Sequence, residues 1–262
     1  MRDENEYAYI PRMVIEGRIE QGQNATVALS LNKAYVDSFD VKEFQQMIVR
    51  WGKVTIIDSH GNREVLTGRV DVDYPTRFIY TGTDIEGRVG ESYVLEVEYS
   101  GRTWIATTTI PPATRLINLN REWVCDSLYR LRAELPADPA RNACLVECAI
   151  GESHYYRPAL MGILGREDSD TLRTITINRP LDYLNITQYT TFFHRDEQVR
   201  LRVCTMDDFG YSYWSCWENI NVNSLNPVFP AERNPPTNFS GHDVMGIWCG
   251  YGASYHLVPA DK

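Results

Sequence analysis

The chain has 262 residues, of which 43% are hydrophobic, enough for one large β domain or two of ordinary size. Its formal net charge of -9 argues against a nucleic-acid partner, because nucleic-acid binding requires a basic face. No stretch approaches the roughly 18–20 apolar residues that a membrane-spanning helix needs. The polar opening Met1–Glu6 is what we expect to remain if a targeting segment has been removed upstream.

Alternation of apolar and polar residues dominates the first half of the chain and predicts β-strands. Between two of these strands, Ser59–Asn62 predicts a hairpin turn. A total of about seven short strands in about 110 residues is typical of an immunoglobulin-like or fibronectin-like sandwich. The one segment that fits a short helix is Val41–Val49. The predicted strands are Met13–Ile19, Thr26–Leu31, Lys53–Asp58, Arg63–Thr67, Tyr93–Tyr99 and Thr103–Thr109.

The tripeptide Ile110-Pro111-Pro112 marks the predicted boundary between two domains. Its two prolines lack backbone donors and stiffen the chain, as a short interdomain link would. We therefore predict an all-β protein. An immunoglobulin-like or fibronectin-like β-sandwich occupies residues 1–112, and a second antiparallel β-sandwich occupies residues 113–262.

The second half continues the β pattern. A turn is predicted at Pro136–Pro139. The segment from Asn221 to Gly252 is rich in Asn, Pro and Gly, and we expect loops and short strands in this C-terminal tail. The predicted strands are Tyr129–Leu135, Ala143–Ile150, Leu172–Ile177 and Gln198–Val203, with Tyr211–Ile220 pairing with the last of them.

The aromatic run Tyr211–Trp217 is the most suggestive feature for ligand binding. On a strand, Tyr211, Tyr213 and Trp217 would share one face and Trp214 would lie on the other. If the first face is exposed, it predicts a platform for a sugar or a protein contact. If it is buried, it is ordinary core, which is the commoner role of aromatic residues in sandwiches.

No catalytic or metal-binding pattern is present in the sequence. The five histidines form no close pair of the kind used by helical zinc sites. Asp71–Asp73 and Asp168–Asp170 resemble fragments of calcium loops, but they lack the Gly and the distal Glu and are interpreted as solvated turns. Nucleophile elbows, Walker loops and dinucleotide fingerprints are missing too. We therefore predict a protein that is not an enzyme, with no catalytic residues, metal ligands or cofactor.

The six cysteines all lie in the second half of the chain. An even number permits disulfides in an exported protein, and Cys204 and Cys216 could pair across a hairpin. The alternative is that they are buried thiols acting as small hydrophobic residues. The residues are Cys125, Cys144, Cys148, Cys204, Cys216 and Cys249.

Several segments together carry a family resemblance that spans nearly the whole chain. They are Tyr9–Gly17, Val27–Ser30, Gly90–Val97, Ala106–Pro111, Asp138–Asn142, and the tail Asn234–Gly241 with Gly246–Trp248. As a set they resemble the Bacteroidetes surface lipoproteins grouped as domain of unknown function 4249. The chain departs from that pattern where His242 replaces a glycine, where Trp248 replaces the usual Phe, and at Asn142–Cys144.

The resemblance implies a setting rather than a chemistry. Such proteins are tethered to the outer membrane by a lipid on an N-terminal cysteine, at the cell surface or the periplasmic face. They are associated with TonB-dependent outer-membrane transporters, which implies a non-enzymatic substrate-capture or accessory subunit. The resemblance does not name a ligand, and a glycan or a peptide is the candidate. The alternative is an adhesive or structural cell-surface module.

Overall fold

The computed structural model describes residues 10–32, 45–136, 143–165, 172–182, 189–224 and 234–261. This part of the chain is mostly β and forms antiparallel sheets packed as sandwiches, which confirms the predicted all-β fold class. Several predicted features lie outside the described residues. They are Met1–Glu6, the first four residues of Val41–Val49, Asp138–Asn142 with most of the turn at Pro136–Pro139, and Asp168–Asp170.

Eight described strands precede Pro111. The predicted hairpin at Ser59–Asn62 is confirmed, since it joins antiparallel strands and its Gly61 N–H donates to the Asp58 carbonyl at 3.1 Å. The strands are β1 (Met13–Glu20), β2 (Asn24–Leu31), β3 (Lys53–Ile57), β4 (Arg63–Val65), β5 (Thr67–Val70), β6 (Phe78–Glu86), β7 (Ser92–Tyr99) and β8 (Arg102–Thr109).

The described part of the second half contains eight more strands and a helix. They are β9 (Ile117–Cys125), β10 (Leu128–Leu135), β11 (Ala143–Ile150), β12 (Arg157–Leu164), β13 (Arg173–Ile177), β14 (Phe193–His194), β15 (Val199–Met206), α1 (Asp208–Ser224) and β16 (Val244–Val258).

One eight-stranded sheet, called here the shared sheet, joins the two halves of the chain. Its strand order is β12-β11-β15-β16-β1-β2-β6-β5. The junction is the pairing of β16 with β1, which is parallel, whereas the other strand pairs of this sheet are antiparallel. The amino-terminal part of β16 pairs with β1, and its carboxyl-terminal part pairs with β15.

The first core lies between the shared sheet and a four-stranded sheet of order β4-β3-β7-β8. The far end of the chain completes it with Phe239, Val244 and Trp248. The Trp248 indole N–H donates to the Tyr93 carbonyl at 2.9 Å, and its ring occupies the space that a side chain at Gly17 would need. The C-terminal strand is therefore part of the first sandwich as well as the second.

The second core lies between the other end of the shared sheet and the sheet of β9, β10, β13 and β14. A third apolar cluster covers the opposite face of the shared sheet, where α1 packs on β11, β15 and β16. At this end of the shared sheet, the second core covers one face and the α1 layer covers the other.

The prediction of a strand over Tyr211–Ile220 is wrong, because this segment forms α1. Asp207 begins the helix, and its carboxylate accepts a hydrogen bond from the Gly210 N–H at 2.8 Å, the geometry of an N-terminal cap. The helix buries Trp214 against the shared sheet. The i, i+3 spacing of Trp214 and Trp217 puts both residues on the helix face that packs on the shared sheet, which alternation along a strand would not do.

The expectation of loops and short strands over Asn221–Gly252 is also wrong for its last part. At 15 residues, β16 is the longest of the described strands. Its glycines allow close approach of other backbone segments. Gly246 has φ of 103°, and a Cβ placed there would lie 1.9 Å from the Ile15 carbonyl oxygen. The glycines that suggest a loop in the sequence are therefore required by a tightly packed strand.

Candidate functional site

The outer face of the shared sheet carries a group of charged residues where its two halves meet. In β1, alternation sends Ile15 and Ile19 into the first core and leaves Arg18 and Glu20 on the outer face. In β11 and β15, the same alternation leaves Glu147 and Arg202 on that face. We call Arg18, Glu20, Glu147 and Arg202 the ion quartet.

The ion quartet is a closed set of two guanidinium groups and two carboxylates. Arg18 donates to both Glu147 carboxylate oxygens, at 3.3 and 3.2 Å, and its Nε lies 2.8 Å from Glu20 Oε1. Arg202 donates from Nε to Glu147 at 2.7 Å and from a terminal nitrogen to Glu20 at 2.8 Å. Each carboxylate therefore contacts both guanidinium groups, and the four charges balance.

Aromatic rings surround the ion quartet. The Tyr255 hydroxyl donates to Glu20 at 2.5 Å. The Arg18 guanidinium lies 4.8 Å from the centre of the Tyr251 ring, and the Arg202 guanidinium lies 4.4 Å from that of Tyr156. These are cation–π distances. The rings pack against the two guanidinium groups and restrict the rotation of both arginine side chains.

The carboxylates of the ion quartet stay ionised despite their burial. Burial alone would raise the pKa of Glu147, but Arg18 and Arg202 outweigh it and lower the pKa to about 2. The pKa of Glu20 is likewise lowered, because the two arginines and the Tyr255 hydroxyl outweigh burial. Both arginines are therefore fully engaged by protein carboxylates.

A cavity of about 240 Å³, called here the polar cavity, lies above the ion quartet. Strands β1 and β2 form one wall, and the turn after β5, the segment after β11 and helix α1 form the others. Its size suits a small molecule rather than a polymer. Its lining includes Glu16, Asn24, Thr26, Arg69, Asp71, Asp73, Tyr74, His154, Tyr155, Tyr156, Trp214 and Tyr255, besides the ion quartet.

Glu16 is the charged residue of this lining whose environment is most unusual. Its side chain is accessible to solvent inside the polar cavity, and no described side chain lies within ion-pair or hydrogen-bond distance of its carboxylate. Protein encloses the cavity and displaces much of the bulk water. This desolvation, with Glu147 nearby, raises the pKa of Glu16 even though Arg18 lowers it. Glu16 is thus a solvent-accessible carboxylate that faces the cavity with no ion-pair partner among the described residues.

Aromatic rings supply the apolar part of the cavity walls. Tyr74 and Tyr155 meet edge to face with their ring centres 5.0 Å apart, and Tyr156 and Tyr255 meet in the same way at 6.2 Å. Trp214 is fixed by a hydrogen bond from its indole N–H to the Tyr251 hydroxyl at 2.8 Å. The cavity therefore combines carboxylates with ring faces and edges.

The three aromatic residues predicted to bind a ligand do not form one patch. Tyr211 is 37% exposed on α1, whereas Tyr213 and Trp217 are half-buried beside Trp214. The ring centres of Tyr213 and Trp217 lie 5.4 and 5.5 Å from that of Trp214. Trp217 lines a second, mostly apolar cavity of about 190 Å³. That cavity shares Tyr155 and Pro158 with the polar cavity.

The helix that carries the aromatic run borders the polar cavity, and a ligand-binding role for Tyr211, Tyr213 and Trp217 stays a prediction. Trp214, assigned to the opposite face of a strand, is the residue of the run that lines the cavity. The helix could have been found from the Asp207 cap and the i, i+3 spacing of Trp214 and Trp217. Glu16 and Arg18 alternate on one face of the predicted strand Met13–Ile19, and Glu20 continues that face in β1.

The other sequence features show no reactive arrangement in the described part of the chain. No set of three His, Cys, Asp or Glu side chains there converges as a metal site would. All six cysteines lie within the described residues and none of them forms a disulfide, so Cys204 and Cys216 are not bonded to each other. The Cys204 thiol instead lies 3.3 Å from Glu147 Oε2, and burial raises its pKa. Among the described helices, none is long and apolar enough to cross a membrane.

The fold and the cavity define an all-β protein of two sandwiches joined by one sheet, with a ligand-sized site on that sheet. The model of the family described as domain of unknown function (DUF4249) matches residues 3–252. The chain therefore belongs to this family, as its sequence resemblance predicted. Among curated proteins, no sequence is significantly similar to it.

Similar solved structures are distant. One is a DUF4785 family protein from Legionella pneumophila, with 14% identity and a TM-score of 0.26 over 73% of this chain and 52% of that one. Another is a pullulanase complexed with maltotriose from an Anoxybacillus species, with 12% identity and a TM-score of 0.24 over 74% of this chain and 24% of that one. The chain thus spans about half of the first protein and a quarter of the second. Neither likeness carries an argument about function.

Proposed function

We propose that this protein is a non-enzymatic surface lipoprotein that captures a small ligand in the polar cavity beside a TonB-dependent outer-membrane transporter. The observation that carries the proposal is the concave cavity with the Glu16 carboxylate facing into it, accessible to solvent and without an ion-pair partner among the described residues. A ligand in this cavity can therefore contact the carboxylate directly. The setting is supported by the family's resemblance to Bacteroidetes surface lipoproteins.

Capture explains the cavity better than the alternative of an adhesive or structural module. An adhesive surface needs an exposed apolar or aromatic face that a partner can cover. The aromatic residues of α1 are instead turned largely into the molecule, with Trp214 buried and Tyr213 and Trp217 half-buried. Concave sites with a few convergent polar groups are typical of small-molecule binding.

The charged groups of the ion quartet support a structural or binding role rather than a catalytic one. The carboxylates of Glu20 and Glu147 are ionised and saturated by two arginines, so neither is poised to exchange a proton near neutral pH. Burial raises the pKa of the Cys204 thiol, the cysteine nearest the ion quartet, which disfavours a nucleophilic thiolate.

A test of capture compares cavity-blocking and matched variants in a binding screen of small metabolites, glycans and peptides. Thr26 lines the polar cavity on β2, so Thr26→Trp should fill it and abolish binding. Thr103→Trp makes the same change at an exposed position of β8 and should leave binding intact. Unchanged binding by a folded Thr26→Trp variant would show that the polar cavity is not the capture site.

A test of the setting uses the protein in its native membrane. A tagged full-length chain should fractionate with the outer membrane and carry a lipid on an N-terminal cysteine. It should also co-purify with a TonB-dependent transporter after mild detergent extraction. A cytoplasmic location, together with recovery of no transporter, would refute this part of the proposal.

A further inference from the structure

The charged groups that line the polar cavity restrict the charge of a ligand that could bind there. The ion quartet is neutral as a unit, and its two guanidinium groups are engaged by Glu20 and Glu147. An anionic ligand would have to displace one of these carboxylates, which lie at 2.7 to 3.3 Å from the arginines. The floor of the cavity therefore offers no cation to a ligand.

The remaining charged groups of the described lining leave an excess of negative charge. Arg69 lies 3.5 Å from Asp71 and is matched by it. Glu16 and Asp73 have no cationic side chain within ion-pair distance among the described residues. Two carboxylates thus face the cavity without a counter-ion.

The walls next to these carboxylates are aromatic. Tyr74 adjoins Asp73 in the chain and packs edge to face on Tyr155, while Tyr156 and Tyr255 form a second edge-to-face pair. Arg202 lies 4.4 Å from the centre of the Tyr156 ring and covers one of its faces, so Tyr74, Tyr155 and Tyr255 are the rings left for a ligand. Aromatic faces attract cations, and aromatic cages are a known way of binding quaternary ammonium ligands.

We infer that the polar cavity binds a small organic cation, with Glu16 and Asp73 as its counter-charges and the tyrosine rings as its apolar walls. The inference rests on the proposed capture function and specifies the ligand class for the same cavity. The volume of about 240 Å³ accommodates a small ammonium or guanidinium compound and excludes a long polycation.

The test uses two probes of nearly the same shape that differ in charge. Choline carries a quaternary ammonium, and 3,3-dimethylbutan-1-ol replaces that nitrogen by carbon. Titration calorimetry and saturation-transfer NMR on the full chain should show that choline binds at least about tenfold more tightly than the alcohol. Butylguanidinium and glucose extend the comparison to a planar cation and to a neutral sugar.

Variants connect this binding to the cavity. Glu16→Gln should weaken choline binding by at least about tenfold and leave the weak binding of the alcohol unchanged. Tyr155→Leu, which removes a wall ring, should weaken choline binding as well. Glu98→Gln is the matched control, because Glu98 lies on β7 in the other sheet and pairs with Lys53 on the surface. Thermal unfolding verifies that each variant is folded.

The outcomes separate this inference from the proposed function. Equal binding of choline and its neutral isostere, or choline binding that Glu16→Gln leaves unchanged, would overturn the cation inference. Glucose binding that depends on the cavity would overturn it too, while leaving capture intact. If the full chain binds none of these probes and nothing in the wider screen, both the inference and the capture function fail.

Discussion

Arg18 and Glu147 lie 129 residues apart in the sequence and are joined by two hydrogen bonds on the outer face of the shared sheet. Arg18 belongs to the strand that opens the first sandwich, and Glu147 belongs to β11 of the second. The pair spans β15 and β16, and β16 is the strand that both sandwiches use. The ion quartet is therefore a polar link between the two sandwiches as well as the floor of the polar cavity.

Removing one charge of the ion quartet should be costly. In Glu147→Gln, the buried Arg18 and Arg202 would share the single carboxylate of Glu20. We expect the free energy of unfolding to fall by about 3–5 kcal/mol, because a buried charge is left without compensation. Urea unfolding followed by tryptophan fluorescence measures this change.

The control for that experiment is Glu98→Gln, which removes one partner of the exposed Lys53–Glu98 pair. Surface pairs contribute only about 0–1 kcal/mol, so this variant should be nearly as stable as the parent. Similar stability losses in the two variants would contradict the interpretation of the ion quartet as a buried network.

Acid should destabilise the protein through the same carboxylate. The pKa of Glu147 is lowered from 4.5 to about 2 in the folded chain. Between these values the unfolded chain binds a proton that the folded chain does not, so stability is lost as the pH falls from about 4.5 towards 2. The loss due to Glu147 is on the order of 3 kcal/mol, and the lowered pKa of Glu20 acts in the same direction.

Urea unfolding at a series of pH values between about 2 and 6 tests this dependence. Glu147→Gln cannot take up the proton and should show a shallower decline than the parent protein. Parallel declines in the two proteins would mean that other carboxylates dominate the acid response.

A side chain at Gly246 should disrupt the junction of the shared sheet. Gly246 has φ of 103°, and a Cβ there would lie 1.9 Å from the Ile15 carbonyl oxygen of β1. Gly246→Ala should therefore cost more than about 3 kcal/mol, because backbone atoms must move apart. Gly61→Ala is the matched control, since Gly61 has φ of 85° with open space around it and should cost about 1 kcal/mol. Equal losses of stability in the two variants would show that β16 and β1 do not approach closely at Gly246.

The helix cap at Asp207 offers a test of the segment that sequence alternation assigned to a strand. Asp207→Ala removes the acceptor for the Gly210 N–H and should cost about 0.5–2 kcal/mol, whereas Asp207→Asn should retain most of the cap. Thermal unfolding of both variants measures the difference. Equal stability of the parent and Asp207→Ala would contradict an N-terminal cap at this position.

Local patterns in the sequence were sufficient for most of the strands. Tyr93–Tyr99, for example, alternates cleanly and forms β7. A strand that is buried on one face has apolar residues at every second position, and this period can be seen in its own sequence. The run Tyr211–Trp217 misled because aromatic residues favour strands in general, while the Asp207 cap and the apolar surface below α1 selected a helix. The division at Ile110–Pro112 and the ligand-binding role of Tyr211, Tyr213 and Trp217 remain predictions.

The sequence by itself determined the all-β class, the family, and a strand over Met13–Ile19 with Glu16 and Arg18 on one face. Only the tertiary structure decided what that face meets. The parallel pairing of β1 with β16 brings Arg18 within reach of Glu147, and α1 and the segment holding Tyr155 close the cavity above them. Such contacts depend on strand order between distant segments, which no local period encodes.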